Sequence, residues 1–240
     1  MSELVLKNLV KSYNGKTIVD KVDLTVSQGK VTGLLGPNGA GKTTTFYMVV
    51  GMIRPDKGSV YIDEEDITAH PMYIRARKGL GYLPQESSIF KKLTVRQNIT
   101  AILEVLPKNG TDIEKTAMDL MKELGIDRLA HQKAASLSGG ERRRLEISRV
   151  LATGPKFILL DEPFAGIDPL AVIDIQQIIS QLTHKGIGVL ISDHNVRETL
   201  GVCDHAYIMS QGVVIESGPP EKIISSKIAK KIYLGDNFKL

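Results

Sequence analysis

The order of apolar and polar positions divides the chain into three textures. Leu4-Val5-Leu6 and Ile18-Val19 flank a polar Asn14-Gly15, and Val22-Asp23-Leu24-Thr25-Val26 alternates at period two. That pattern predicts antiparallel strands joined by a tight turn. Val31-Thr32-Gly33-Leu34-Leu35 is an apolar run of strand length, residues 42–52 read as a proline-free helix, and Gly58-Ser59-Val60-Tyr61-Ile62 adds a short strand. From Gln85 to about Thr153 the chain turns helical. Apolar residues recur at helical spacing over 95–105 and 114–124, Gly125 supplies a stop, and a charged helix is expected over 142–152. Phe157-Ile158-Leu159-Leu160 and residues 187–191 are continuous apolar runs, the mark of strands covered on both faces. A helix over 172–182, a hairpin about Gln211-Gly212 and two short helices over 221–224 and 228–233 complete the prediction.

Strands that alternate with helices predict an α/β class: a nucleotide-binding core with a mostly parallel sheet, an N-terminal antiparallel β subdomain and an inserted helical subdomain. The boundaries expected are 1–85 and 154–240 for the core with its β subdomain, and 86–153 for the helical part, all within one domain. Composition changes little: 240 residues, 42% hydrophobic and 24% charged, are ordinary for a globular chain. A net charge of +4 is open to three explanations, namely nucleic acid, an anionic membrane surface or a bound triphosphate. Cys203 is the only cysteine, so no internal disulfide is possible, which suits a reducing compartment. No stretch approaches the roughly 20 apolar residues that span a bilayer, and residues 1–10 lack a signal-peptide pattern. The expectation is a cytoplasmic protein that reaches a membrane only through a partner.

The chemistry begins at Gly36-Pro37-Asn38-Gly39-Ala40-Gly41-Lys42-Thr43-Thr44, which fits G-x-x-x-x-G-K-[ST] between a strand and a helix. Glycines there let the main chain approach an anion, and the helix start adds positive potential. Lys42 is expected to reach the β- and γ-phosphates of ATP and the Thr43 hydroxyl to hold Mg2+. Asp161 and Glu162 leave the end of the apolar run 157–160, where a carboxylate can face a nucleotide held by a neighbouring strand. Asp161 suits Mg2+, and Glu162 is placed to polarise a water in line with the γ-phosphate. His194 follows its own strand and can orient that water. Gln85 closes Gly81-Tyr82-Leu83-Pro84-Gln85, from which its amide can touch Mg2+ or water, and Tyr13, in the first loop, can stack on adenine. Ser138-Gly139-Gly140 is a second anion-binding stretch at a helix start. One chain binds one triphosphate in its loop, so the second cradle predicts a head-to-tail dimer. Each Ser138 loop then covers the partner's nucleotide, with two ATP enclosed.

Residues 36–44, Leu137-Ser138-Gly139-Gly140-Glu141, Asp161-Glu162 and His194, in that order, resemble the ATPase subunits of ABC transporters across the whole chain. The resemblance implies Tyr13 as adenine platform, Gln85 as Q-loop, Ala165-Gly166-Ile167-Asp168 as D-loop and His194 as switch histidine. Here the D-loop reads Ala-Gly-Ile-Asp where many members have Ser-Ala-Leu-Asp; the aspartate is kept. A narrower resemblance joins Tyr47-Met48-Val49-Val50-Gly51, Pro84-Gln85-Glu86-Ser87-Ser88-Ile89-Phe90, Asp193-His194-Asn195-Val196-Arg197-Glu198-Thr199 and the tail Tyr233-Leu234-Gly235-Asp236-Asn237-Phe238-Lys239-Leu240 to the lipopolysaccharide-export branch. That branch implies a homodimer under two transmembrane permease subunits, on the cytoplasmic face of the inner membrane, with contact near Phe90 and no nucleic acid. A branched-chain amino-acid importer ATPase and a soluble ATPase of iron–sulfur assembly remain the alternatives.

Overall fold

Asn14 and Gly15 both take positive φ, 50° and 78°, and this tight turn joins β1 (Glu3–Tyr13) to β2 (Lys16–Ser27) as an antiparallel pair. The structure, a computed structural model, describes residues 2–106, 112–235 and 238. Two strands expected around 18–19 and 22–26 are one, carried through Lys21 in a left-handed conformation. Tyr13, expected in a loop, is instead the last residue of β1, paired with Lys16. β3 (Val31–Leu35) is buried throughout, and α1 (Lys42–Val50) stops at Gly51, φ 89°, before the expected residue 52. β4 (Lys57–Ile62) and β5 (Glu65–Asp66) extend the first sheet. α2 (Met72–Arg77) and β6 (Leu80–Leu83) stand where periodicity predicts no element.

The helical stretch holds α3 (Val95–Val105), α4 (Ile113–Glu123) and α5 (Gly139–Leu151). The last begins three residues before the expected 142, because Ser138 and Glu141 form a reciprocal capping box that overrides the poor helix propensity of two glycines. Thr94 and Gln97 do the same for α3, and Gly125, φ 65°, follows α4 as expected. Then come β7 (Phe157–Asp161), α6 (Pro169–His184), β8 (Gly188–Asp193), α7 (Val196–Leu200), β9 (His205–Ser210), β10 (Val213–Gly218), α8 (Pro220–Ser225) and α9 (Lys227–Ala229). A π-helical turn over Lys230–Leu234 follows. α6 outruns its expected 172–182 because Asp168 caps it and Pro169 fits its first position. Of the tail quoted for the narrower resemblance, Asp236, Asn237, Lys239 and Leu240 lie outside the described residues.

The fold is α/β with two sheets. One is antiparallel, β2-β1-β4-β5; the other, β10-β9-β3-β8-β7-β6, runs parallel from β9 through β7, with β10 antiparallel at its edge. By contacts the chain divides into Met1–Tyr82 with Lys156–Leu240 as one unit and Leu83–Pro155 as the other. In the first, Leu6 and Val26 of the antiparallel sheet share one buried cluster with Phe46 and Val49 of α1 and Leu159 and Leu190 of the parallel sheet. Each such side chain contributes about 1.5–3 kcal/mol when fully buried. The second unit has its own core, in which Ile99, Met121 and Leu145 bring its three helices together. Cys203 is buried, its sulfur against Gly33 of β3, where an added Cβ would come within 2.9 Å of it.

Arg75 is the largest buried side chain of the first unit, 1% exposed. It donates to four main-chain carbonyls: Met48 and Val49 at the end of α1 (2.7 and 2.6 Å), Thr68 (2.8 Å) and His70 (2.8 Å). Burial pulls its guanidinium down to about 10, which still leaves it charged at neutral pH. A cation at this end of a helix also meets the negative pole of the dipole. Arg75→Met keeps the apolar stem and strands those carbonyls. We expect a loss of about 3 kcal/mol, seen as a lower midpoint in thermal or urea unfolding.

Candidate nucleotide site

The phosphate loop is shaped by contacts that leave no room for side chains. Gly36 has φ 150°, and a Cβ there would lie 2.0 Å from the Met209 carbonyl oxygen. Gly41 has φ 103°, and its Cβ would lie 2.6 Å from the Ile18 carbonyl oxygen. Gly36 and Ala40 are buried, Pro37 half-buried, and Asn38 and Gly39 exposed. The loop therefore bends between β9 and β2 with its turn open to solvent. Gly41 caps α1 without any side-chain hydrogen bond, whereas α3, α4, α5 and α6 all have one. The first N–H groups of α1 are thus left to another acceptor.

Lys42 is 6% exposed and folds back over the loop, donating to the carbonyls of Gly36 (2.6 Å) and Pro37 (3.1 Å). Burial holds its ammonium below the ordinary lysine value, against the pull of Glu162, Asp193 and Asp161. Thr43 beside it is exposed and Thr44 half-buried.

The parallel ladder brings the carboxylates to the same edge. Leu35, the last residue of β3, pairs with Asp193 of β8, and Asp161 of β7 pairs with Ser192. Asp161 is 4% exposed; Tyr82 donates its hydroxyl to Oδ2 at 3.3 Å, and Oδ1 is buried without a hydrogen-bond partner among the described residues. Burial, with Glu162 and Asp193 nearby, raises its carboxyl above the usual range. Glu162 sits in the left-handed region at φ 47°, its N–H donating to the Ser192 carbonyl at 2.6 Å. Its Oε2 lies 3.4 Å from His194 Nδ1, on a ring that is 46% exposed.

Tyr13 is 43% exposed at the end of β1, with the Lys11 ammonium 5.5 Å from its ring centre. Gln85 and Ser138-Gly139-Gly140 belong to the second unit. Gln85 is exposed two residues past β6. The Ser138 hydroxyl donates to Glu141 (2.9 Å) and accepts the Glu141 N–H (3.3 Å), which fixes the start of α5. Gly139 and Gly140 do not have positive φ, and an added Cβ at either would meet nothing within 4 Å. Nothing among the described residues excludes a side chain there, although glycine costs about 1 kcal/mol relative to alanine in a helix.

The sequence pattern of the family described as ABC transporter matches residues 19–165. This chain belongs to the ABC transporter family. It is 54% identical over 241 residues to the lipopolysaccharide export system ATP-binding protein LptB of Escherichia coli (strain K12), covering all of both chains. The identity to LptB of Haemophilus influenzae is also 54%, again over the full length of both. Among solved structures, the ATP-binding cassette MJ1267 in its ADP conformation superposes with a TM-score of 0.89 at 31% identity, covering 98% of this chain and 100% of that one. As an ABC ATPase the chain binds and hydrolyses ATP. The residues present fit nucleotide with a metal ion, on two observations: a cradle that a Cβ would fill, and a buried carboxylate oxygen at its edge that no donor among the described residues satisfies.

Two residues of this edge escape a reading of the sequence. Tyr82 reads there only as part of an apolar-aromatic segment, and Asp193 as a spacer before His194. An acidic residue closing an otherwise apolar strand, Gly188–Asp193, is the signal that could have found the second.

Proposed function

We propose that this ABC ATPase powers extraction of lipopolysaccharide from the inner membrane for export to the outer one. The observation that carries this reading is end-to-end similarity, at 54% identity, to ATP-binding proteins of lipopolysaccharide export. The triphosphate of ATP lies in the loop of residues 36–44, with main-chain N–H groups and Lys42 on the β- and γ-phosphates and Tyr13 stacked on adenine. Thr43 and Asp161, with Gln85 as the proposed third ligand, would hold Mg2+, through its water shell in part. When bound, the ion neutralises charge that builds on the phosphate oxygens.

Glu162 accepts a proton from water as the water oxygen attacks the γ-phosphorus and the bond to the β–γ bridging oxygen breaks, giving ADP and phosphate. His194, 3.4 Å from that carboxylate, orients the water and the γ-phosphate. Ser138, Gly139 and Gly140 of a second copy complete each site, which accounts for two glycines that this chain's own packing does not require. Opening and closing of the head-to-tail homodimer then moves two transmembrane permease subunits, with the protein peripheral on the cytoplasmic face. No described helix is itself long and apolar enough to cross a membrane.

Phe90 is the proposed contact with those subunits. It is 44% exposed, and the Arg149 guanidinium lies 4.5 Å from its ring centre. An aromatic anchor beside a cation is the kind of residue that dominates interfaces, at 2 kcal/mol or more, roughly. Phe90→Ala is expected to strip the protein from detergent-solubilised membrane complexes while ATP affinity stays unchanged. Purification of the wild-type complex from native membranes tests the whole reading. Two different transmembrane subunits with bound lipopolysaccharide are expected; a periplasmic amino-acid-binding protein, or a purely soluble iron–sulfur assembly, would overturn it.

A further inference from the structure

Asp193 ends β8 with a side chain that is 0% exposed; its oxygens accept three main-chain N–H groups, and Oδ1 also lies 3.6 Å from His194 Nδ1. Its Oδ1 accepts the N–H of His194 (2.7 Å) and of Asn195 (2.8 Å), and its Oδ2 accepts the N–H of Phe164 (2.9 Å). One carboxylate therefore spans two loops: the one after β8 that carries His194, and the one after β7 that carries Glu162. Asn195 adds a second tie, its Nδ2 donating to the Phe164 carbonyl at 2.9 Å.

The ties explain a geometry that neither loop holds alone. Glu162 is not a glycine, yet it keeps a φ of 47°. Such a conformation persists only where the surroundings over-determine it. Here its N–H is pinned to the Ser192 carbonyl on one side, and Phe164, two residues on, is clamped at both N–H and carbonyl by Asp193 and Asn195. The clamp reaches back to the same turn that presents His194. Packing gives no reason for a carboxylate here, since the preceding residues of β8 include Val189, Leu190 and Ile191 and an apolar residue would fill a buried position at lower desolvation cost.

We infer that Asp193, assisted by Asn195, is a positioning residue for ATP hydrolysis. It fixes the loop of Glu162 to the loop of His194, so that the two side chains keep the register in which they meet the γ-phosphate. The inference rests on the ATPase reading of this site.

Asp193→Asn is the informative change, because it keeps size and shape but turns one oxygen into a donor. An amide can still accept from His194 and Asn195 or from Phe164, and it cannot serve both loops. In steady-state hydrolysis by the full chain, kcat is expected to fall about 10²-fold, the scale of an ångström-level misplacement. KM and the affinity for a fluorescent ATP analogue should stay at wild-type values. Asn195→Ala should give a smaller fall of the same kind. Adding Asp193→Asn to Glu162→Gln should cost nothing further, since residues that act as a unit are not additive.

A wild-type kcat in Asp193→Asn would overturn the inference, and so would kcat and ATP affinity falling together. If that variant does not fold, Asn195→Ala decides: an unchanged kcat overturns the inference, and a lower kcat at unchanged KM supports it. Failure of the underlying reading has a separate signature, namely a wild-type chain without ATPase activity or an active Glu162→Gln.

Discussion

Replacing Glu162 by glutamine is expected to leave ATP binding intact and to lower turnover by about 10²–10⁴-fold, the contribution of a positioned general base. The amide has the same shape and can be held by the same left-handed turn, but it takes no proton from water at neutral pH. Binding survives because the contacts expected to dominate it lie elsewhere, in the loop of residues 36–44 with its buried Lys42. The measurement is phosphate release at saturating ATP, alongside titration with a fluorescent nucleotide. Hydrolysis near the wild-type rate would remove Glu162 from its assigned role. Because Glu162 lies 3.4 Å from His194, the two are proposed to act on one water, and combining Glu162→Gln with His194→Ala should reduce the rate hardly further.

The second large effect concerns assembly. Lys42→Ala removes the charge expected to meet the phosphates, and Ser138→Arg places a long side chain at the exposed start of α5. Each variant alone is expected to lack hydrolysis. Mixed, they form heterodimers in which one site carries both defects and the other carries neither. The mixture should recover about a quarter of the wild-type rate, since two-fold symmetry makes half of the dimers mixed and restores one site in each. Absence of recovery, with mixed dimers demonstrated by differential tagging, would show that Ser138 and Lys42 do not serve one site from two chains.

How far the sequence could be read depends on what held each piece in place. β7 was legible because its residues are continuously apolar and its neighbours bury both faces. α3 was legible from helical spacing over 95–105, which the Thr94–Gln97 capping box locks. At α5 intrinsic propensity misled, because Gly139-Gly140 reads as loop while the Ser138–Glu141 box sets the helix start. The burial of Arg75 was not legible, because only the tertiary fold supplies the four carbonyls that its guanidinium meets. Among candidate site residues, the placement of the loop of residues 36–44, Asp161, Glu162 and His194 at strand ends was legible. The left-handed turn at Glu162 and the brace from Asp193 were not, since both depend on hydrogen bonds between segments distant in sequence.

The setting of Cys203 has a practical consequence. Its thiol is shielded against β3, and burial raises it well above the ordinary cysteine range, so it carries almost no thiolate in the native fold. A maleimide or disulfide reagent should leave the folded chain unmodified. Cysteines introduced at exposed positions such as Tyr13 or Gly139 could then carry spectroscopic labels with the native thiol left in place. The same silence makes Cys203 an internal clock for opening: its modification rate under native conditions should report how often β3 parts from the segment that leads into β9.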